Sequence, residues 1–426
     1  IGGLPYFLTL GPHAFYWFSL ERSRQFDLGS FEEHGEYAVL SYTGSWKSAF
    51  ERKNWKQLAK VLAPFVKSKR WFTSSDRKIK SLEILDVIPL SPKRAETVIV
   101  LVNFEFVQGE PETYALPLTH AAGEKADWVE QDLPHQVIAR TENGGEEGVI
   151  FDALADHDTC ASLLELIEKK RNMNGSKGTL SGFQAKSFRR LRGKAQEKLE
   201  PSLYRTERSN TSVLYDERLM LKIIRRLERG TNPELEIGER LSQDRGVNIL
   251  PPIAGGLEYR EPEKKPITLG ILNGYVENLG DAWHLALDNI NQYMEAQVLE
   301  QTERKKARVT RKGFFPLVQN EIPEAAHETI GSFLDLARLI GERTAELHAT
   351  LAEEEEDPAF APEPFTPFYQ RALYQSLRNR AVRSLKLLRR QMKNIPESLH
   401  SSAEKVLDSE KKILATMKLV SDVKME

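Results

Sequence analysis

The residues with the clearest chemical meaning lie between Ser209 and Leu241, in SNTSVLYDERLMLKIIRRLERGTNPELEIGERL. Lys222 stands in an apolar run with Met220, Leu221, Ile223 and Ile224, where a lone ammonium needs a partner because burying an unpaired charge is costly. Glu236, inside a helix opened by Asn232-Pro233, is the expected partner. A lysine on a strand and a glutamate on the next helix form an ion pair able to hold nucleotide phosphates. Two assignments compete with it: Glu236 pairs with Arg240 one helical turn on, or Lys222 snorkels outward from an edge strand. Ahead of the lysine, Ser209, Asn210, Thr211 and Ser212 offer small side chains and free backbone N–H groups that can cradle phosphate oxygens. A hairpin turn closed by local side-chain hydrogen bonds has the same composition. Further on, an apolar strand from Thr268 ends at Asn273, Gly274, Tyr275 and Val276, where backbone groups can bond an adenine edge; a plain edge strand reads alike.

Other motifs carry less. Neither GxGxxG nor GxxxxGK[ST] occurs. Gly175-Ser176-Lys177-Gly178-Thr179 has the composition of a phosphate loop but lacks a preceding strand, and reads as a flexible turn. The nine histidines do not cluster, no HExxH is present, and Cys160 is alone, so neither zinc nor an intrachain disulfide is supported. His348 reads as a core or surface helix residue, Asp158 as a helix N-cap, and Asp281 as an N-cap or first-turn acid, with a place at the mouth of a cleft as the alternative. The rings of Phe365, Phe368, Tyr369 and Tyr374 can stack on a sugar, yet their helical spacing favours core packing. No catalytic residue and no metal ligand is assigned.

The elements that must position these residues follow from periodicity. Residues 6–10 and 15–20 read as an aromatic hairpin around Gly11-Pro12, and the charged, Gly-rich stretch 21–45 as a linker. A helix around 46–67, strands at 80–88, 97–107 and 113–118, and a helix at 161–170 make an α+β unit over 46–200. Residues 201–280 read as a small antiparallel sheet crossed by one helix. From 281 to 426 the pattern is helical, at 283–299, 330–352, 367–392 and 398–419, with a basic segment at 303–312 as a solvated loop or helix end. The 426 residues are long enough for two or three cores. Sixty basic and 62 acidic residues give a net charge of −2, which excludes a field drawing nucleic acid or anionic membrane to the whole surface. No apolar run is long enough to span a bilayer, and the single cysteine suits a reducing compartment, so a cytoplasmic protein is expected. The chain opens at Ile1 without methionine, which reads as the interior of a longer polypeptide.

Three stretches resemble the maltokinase family, in the form fused behind trehalose synthase (maltose α-D-glucosyltransferase). LPYFLTLGPHAFYWFSLE at 4–21 is similar to the closing hairpin of the trehalose synthase β-domain. RSNTSVLYDERLMLKIIRRLERGTNPELEIGERL at 208–241 resembles the maltokinase N-lobe. RTAELHATLA at 343–352, with DPAFAPEPFTPFYQRALYQSLRN at 357–379, resembles the helical lobe preceding its catalytic loop. Arg70-Trp71-Phe72 and NGYVENLGDAW at 273–283 also fit; Thr73-Ser74-Ser75-Asp76 and Asn273-Gly274 depart from the family pattern. The resemblance implies an α+β, two-lobed protein-kinase-like fold related to aminoglycoside phosphotransferases, with an N-terminal α+β cap and an incomplete C-lobe. The implied reaction is ATP plus maltose to maltose 1-phosphate plus ADP with Mg²⁺, in trehalose and α-glucan metabolism, the fused synthase supplying maltose. Lys222 would contact the phosphates and Glu236 orient it, Ser209, Asn210, Thr211 and Ser212 would cover them, and Asn273, Gly274, Tyr275 and Val276 would form the hinge. The His-Gly-Asp catalytic loop and metal-binding Asp are expected beyond Glu426, so the 426 residues are expected to be inactive alone. The rival expectation is a non-catalytic, pseudokinase-like module regulating a glucan-synthesis enzyme.

Overall fold

The computed structural model describes residues 37–75, 77–90, 97–194, 196–204, 210–244, 249–278, 280–299, 321–322, 324–353 and 357–421. The expected hairpin at 6–20, most of the linker at 21–45, the basic segment at 303–312 and Ser209 lie outside these. Two compact units divide at Asp281, Ile1–Asp281 and Ala282–Glu426. The fold class is α+β, as the sequence predicts.

The first unit contains two sheets. Strands β1 (Val39–Ser41), β2 (Ile79–Pro89), β3 (Val98–Phe106), β4 (Glu112–Ala122), β5 (Val137–Asn143) and β6 (Glu146–Asp152) pair in the order β1-β5-β6-β4-β3-β2. Helix α1 (Trp55–Lys67) packs Leu58, Leu62 and Val66 on one face of this sheet, with Val98, Val100, Val102 and Phe104. The intervening Ile99 and Leu101 belong to a second core on the opposite face. That is why β3 reads as an almost unbroken apolar run: both of its faces are covered. Helix α2 (Glu124–Asp132) closes a third, smaller cluster with Val137, Val149 and Phe151.

After helix α3 (His157–Glu168), strands β7 (Asn172–Asn174) and β8 (Thr179–Gln184) precede the short helix α4 (Phe188–Arg192). Strands β9 (Pro201–Tyr204), β10 (Asn210–Tyr215) and β11 (Leu219–Ile224), with β12 (Arg226–Leu227), helix α5 (Pro233–Asp244), β13 (Ile253–Arg260) and β14 (Ile267–Gly274) follow. The second sheet runs β7-β8-β13-β14-β11-β10-β9. Two corrections to the sequence reading follow. Strands β7 and β8 fall within 46–200 yet belong to the second sheet, and β12 falls within 201–280 yet pairs with β4 of the first. The core holding Ile99 and Leu101 also holds Leu221, Leu257 and Ile271, so no break between cores occurs at residue 200. The N-cap of α3 is Asp156, whose carboxylate accepts from Thr159 N; Asp158, the expected cap, lies in the first turn.

The second unit is helical at Ala282–Leu299, Glu324–Ile330, Phe333–Ala352, Pro367–Gln391, Glu397–Asp408 and Glu410–Lys418. The single helix expected over 398–419 is broken at Ser409, whose Oγ donates back to Lys405 O, a local bond that competes with the helical ladder. Thr366 caps the Pro367–Gln391 helix by accepting from Tyr369 N. Phe368 and Tyr369 are 78% and 57% exposed, so the core role expected for these rings does not hold for them. Helical spacing alone did not say which face of the helix they occupy.

Candidate functional site

Strand register assembles the site. Ser212 lies opposite Lys222, Leu214 opposite Met220, Lys222 opposite Ile271 and Met220 opposite Asn273. Opposed residues share a face, and so do residues two apart on one strand, so these six side chains occupy one face of the second sheet. Leu214 and Met220 are half-buried there. Two polar atoms on this face, Ser212 Oγ and Asn273 Oδ1, are buried with no hydrogen-bond partner among the described residues. Lys222 is mostly covered, with 21% of its side chain exposed.

The carboxylate that meets Lys222 is Glu234, at 3.2 Å to Oε1 and 3.0 Å to Oε2 of that side chain. Helix α5 begins where Asn232-Pro233 predicts, and Asn232 Oδ1 accepts from Glu234 N at 2.9 Å. Glu234 therefore sits in the first turn, where the helix dipole favours an acid. Glu236, the expected partner, is two residues on, a rotation of roughly 200° about the helix axis, which turns it away from Lys222. Its own N–H donates to Asn232 O at 3.0 Å. The Glu234 side chain is 48% exposed, so the pair adds little stability, about 0.2–1 kcal/mol at most. Its effect is to aim the ammonium.

The expected phosphate-covering loop is partly corrected. Asn210, Thr211 and Ser212 are already strand, paired with Ile224, Ile223 and Lys222. Ser212 shares the lysine's face. Thr211 points to the other face, and its Oγ1 accepts from Arg225 Nε at 3.0 Å. At the expected hinge, Gly274 N donates to Pro252 O and Tyr275 N to Arg218 O, each at 2.8 Å. The N–H of Val276, a residue 53% exposed, has no such backbone bond among the described residues.

The loop Gly175–Thr179, read as a flexible turn, is tightly held. Asp86 of β2 accepts from Ser176 N and Ser176 Oγ, each at 2.7 Å, from Lys177 N at 3.1 Å and from Gly178 N at 3.0 Å. Tyr259 OH donates to the same carboxylate at 2.7 Å. The loop does cradle an anion, and that anion is the protein's own. Burial alone would raise the Asp86 pKa, but these hydrogen bonds outweigh it and hold the carboxyl below its usual range. At Gly175 a Cβ would stand 2.4 Å from Asp86 Oδ2, which explains glycine there. The sequence carried the loop's composition but no sign of a partner nearly ninety residues away.

The sequence reading also missed Arg225. It is 2% exposed and donates from Nη2 to Asp152 Oδ2 at 2.7 Å, across the junction of the two sheets. Its guanidinium stacks over Trp71, 5.2 Å from the ring centroid. The only signal was its place at the end of the apolar run holding Lys222. Cys160 is buried, which pushes its thiol well above the usual range, so it is no nucleophile. Among the described residues no three His, Cys, Asp or Glu side chains converge to hold a metal. No described helix is long and apolar enough to cross a membrane.

Residues 65–156 match the family described as the maltokinase N-terminal cap domain. Among solved structures the chain is similar to one crystal form of glucosamine kinase, with 15% identity, 80% of this chain and 58% of that one covered, and a TM-score of 0.39. It is also similar to glucosamine kinase in complex with glucosamine, ADP and inorganic phosphate, with 14% identity, 84% and 64% coverage, and a TM-score of 0.39. The chain thus spans less than two thirds of the length of these structures.

Proposed function

We propose that this chain is the nucleotide-binding part of a sugar kinase of the maltokinase type, in which ATP phosphorylates the anomeric hydroxyl of maltose. The observation that carries the reading is the Lys222–Glu234 pair on one sheet face with Ser212, Leu214 and Met220. An ammonium pinned by an acid at a helix start presents its remaining N–H donors to anionic oxygens. Leu214 and Met220 offer an apolar bed for a purine, and the unbonded Ser212 Oγ can donate to a phosphate. Val276 N–H is the hinge donor open to adenine. The match of 65–156 to the maltokinase cap supports maltose as acceptor.

In this reading the γ-phosphoryl bond to the β-phosphate breaks, ADP leaves, and a new P–O bond forms to the sugar oxygen, whose proton must go to a base. Lys222 neutralises phosphate charge and fixes its position, contributions on which phosphoryl transfer largely depends. The described residues supply no metal site, and no step here is routed through one. The fused trehalose synthase suggested by 4–21, a role in α-glucan metabolism and a cytoplasmic location belong to the same proposal.

The test is isothermal titration of ATP and a non-hydrolysable analogue into the 426-residue chain and its Lys222→Ala variant. Micromolar binding that weakens at least tenfold with the alanine is expected. Equal weak binding by both proteins removes the reading.

A further inference from the structure

A second site lies on the opposite side of the strand that carries Lys222. Strand β11 belongs to the second sheet, and two residues after Ile224 the same chain, as β12, pairs with β4 of the first. Arg225 is the crossing residue, and its carbonyl accepts from Ala115 N at 2.8 Å. A cavity of about 990 Å³ opens at this junction, with Arg225 in its wall. Two of the guanidinium nitrogens are bonded, Nε to Thr211 Oγ1 and Nη2 to Asp152. The third, Nη1, is buried and has no hydrogen-bond partner among the described residues. A buried charged donor left unbonded costs free energy, and an acceptor arriving from the cavity would recover it.

The surroundings define that acceptor. Lys69 lines the same cavity, lies over the Phe65 ring at 4.1 Å and donates to His135 O. Burial lowers its pKa to about 8, with Asp152 raising and Arg225 lowering it, so the ammonium stays charged at neutral pH and feels both groups. Among the described residues, Lys69, Arg70 and Arg225 against Asp132 and Asp152 set three cations against two carboxylates, an excess of one positive charge. Trp128, 48% exposed, adds a flat apolar wall beside Asp132. An aromatic face next to a carboxylate suits a sugar ring, whose C–H groups lie on the ring and whose hydroxyls need acceptors.

We propose that this cavity binds a phosphorylated sugar, its phosphate on Arg225 and Lys69 and its ring on Trp128. The site is separate from the nucleotide face, since Thr211 and Ser212 point to opposite sides of β10.

The test titrates the 426-residue chain with glucose 1-phosphate, and separately with inorganic phosphate, glucose and AMP, following heat and tryptophan fluorescence. Glucose 1-phosphate is expected to bind at least tenfold more tightly than each of the other three. Lys69→Met and Trp128→Ala should each weaken it at least tenfold, and Trp128, being half exposed, can be truncated without emptying a core. Lys222→Met should leave this binding within twofold of wild type, whatever it does to ATP. Failure of glucose 1-phosphate to bind, equal binding of AMP, insensitivity to both cavity variants, or loss in Lys222→Met would each overturn the proposal.

Discussion

Asp86 shows most plainly how one residue ties the molecule together. Its carboxylate joins β2 to the loop before β8 and to Tyr259 on β13. Asp86→Asn would turn an amide against donors that need an acceptor, at a cost of roughly 3 kcal/mol or more, read as a lower denaturant midpoint. The folded pKa is depressed, so its stabilisation is present above the unfolded value near 4 and is lost as pH falls through the folded one. Acid titration of the wild type should therefore show a fall in stability below about pH 4 that is shallower in Asp86→Asn, where the lowered carboxyls of Glu105, Glu130 and Glu261 still contribute. At the same scale, the sequence identified Lys222 but chose Glu236 where the structure uses Glu234, and Asp158 where it uses Asp156. Each miss is by two residues at the start of its own helix, α5 and α3. Composition announces the turn, whereas which acid faces inward depends on how the helix is rotated against its sheet.

At the scale of elements, the strand pair β10–β11 and helix α5 were legible because their apolar spacing and the Asn-Pro start are strong local signals. Strands β5 and β6 were missed. Val137–Asn143 and Glu146–Asp152 mix charges with apolar residues, and only the Gly144-Gly145 turn, with both glycines at positive φ, marked the hairpin. The crossing of β11 into β12 was not legible at all, since strand propensity does not say which sheet a strand joins. That crossing carries the Asp152–Arg225 pair, both partners under 5% exposed, so Asp152→Asn should destabilise by about 3 kcal/mol. The crossing also places Arg225 three residues from Lys222, directly after the strand that carries it. If glucose 1-phosphate occupies the junction cavity, it should change ATP affinity severalfold, and ATP should change its affinity by the same factor. Paired titrations, each ligand in the presence of the other, check that equality.

For the molecule as a whole, the α+β class and the helical character after 281 were readable from pattern and resemblance. The internal boundary at 200 was not, because the first sheet buries both faces and shares a core with the second. The first sheet built this way is continuous, through β12, with the strand carrying Lys222, rather than joined to it by a linker. The first-turn acid of α5 orients that lysine. The most direct measurement is ATP affinity, by isothermal titration, in Lys222→Met, Glu234→Gln, their double variant and Glu236→Gln. Loss of about tenfold, near 1.4 kcal/mol, is predicted for each single change at the pair, with the double variant no worse than the weaker-binding single and Glu236→Gln unchanged within twofold. Wild-type affinity in Lys222→Met, or a loss in Glu236→Gln matching that in Glu234→Gln, would contradict it.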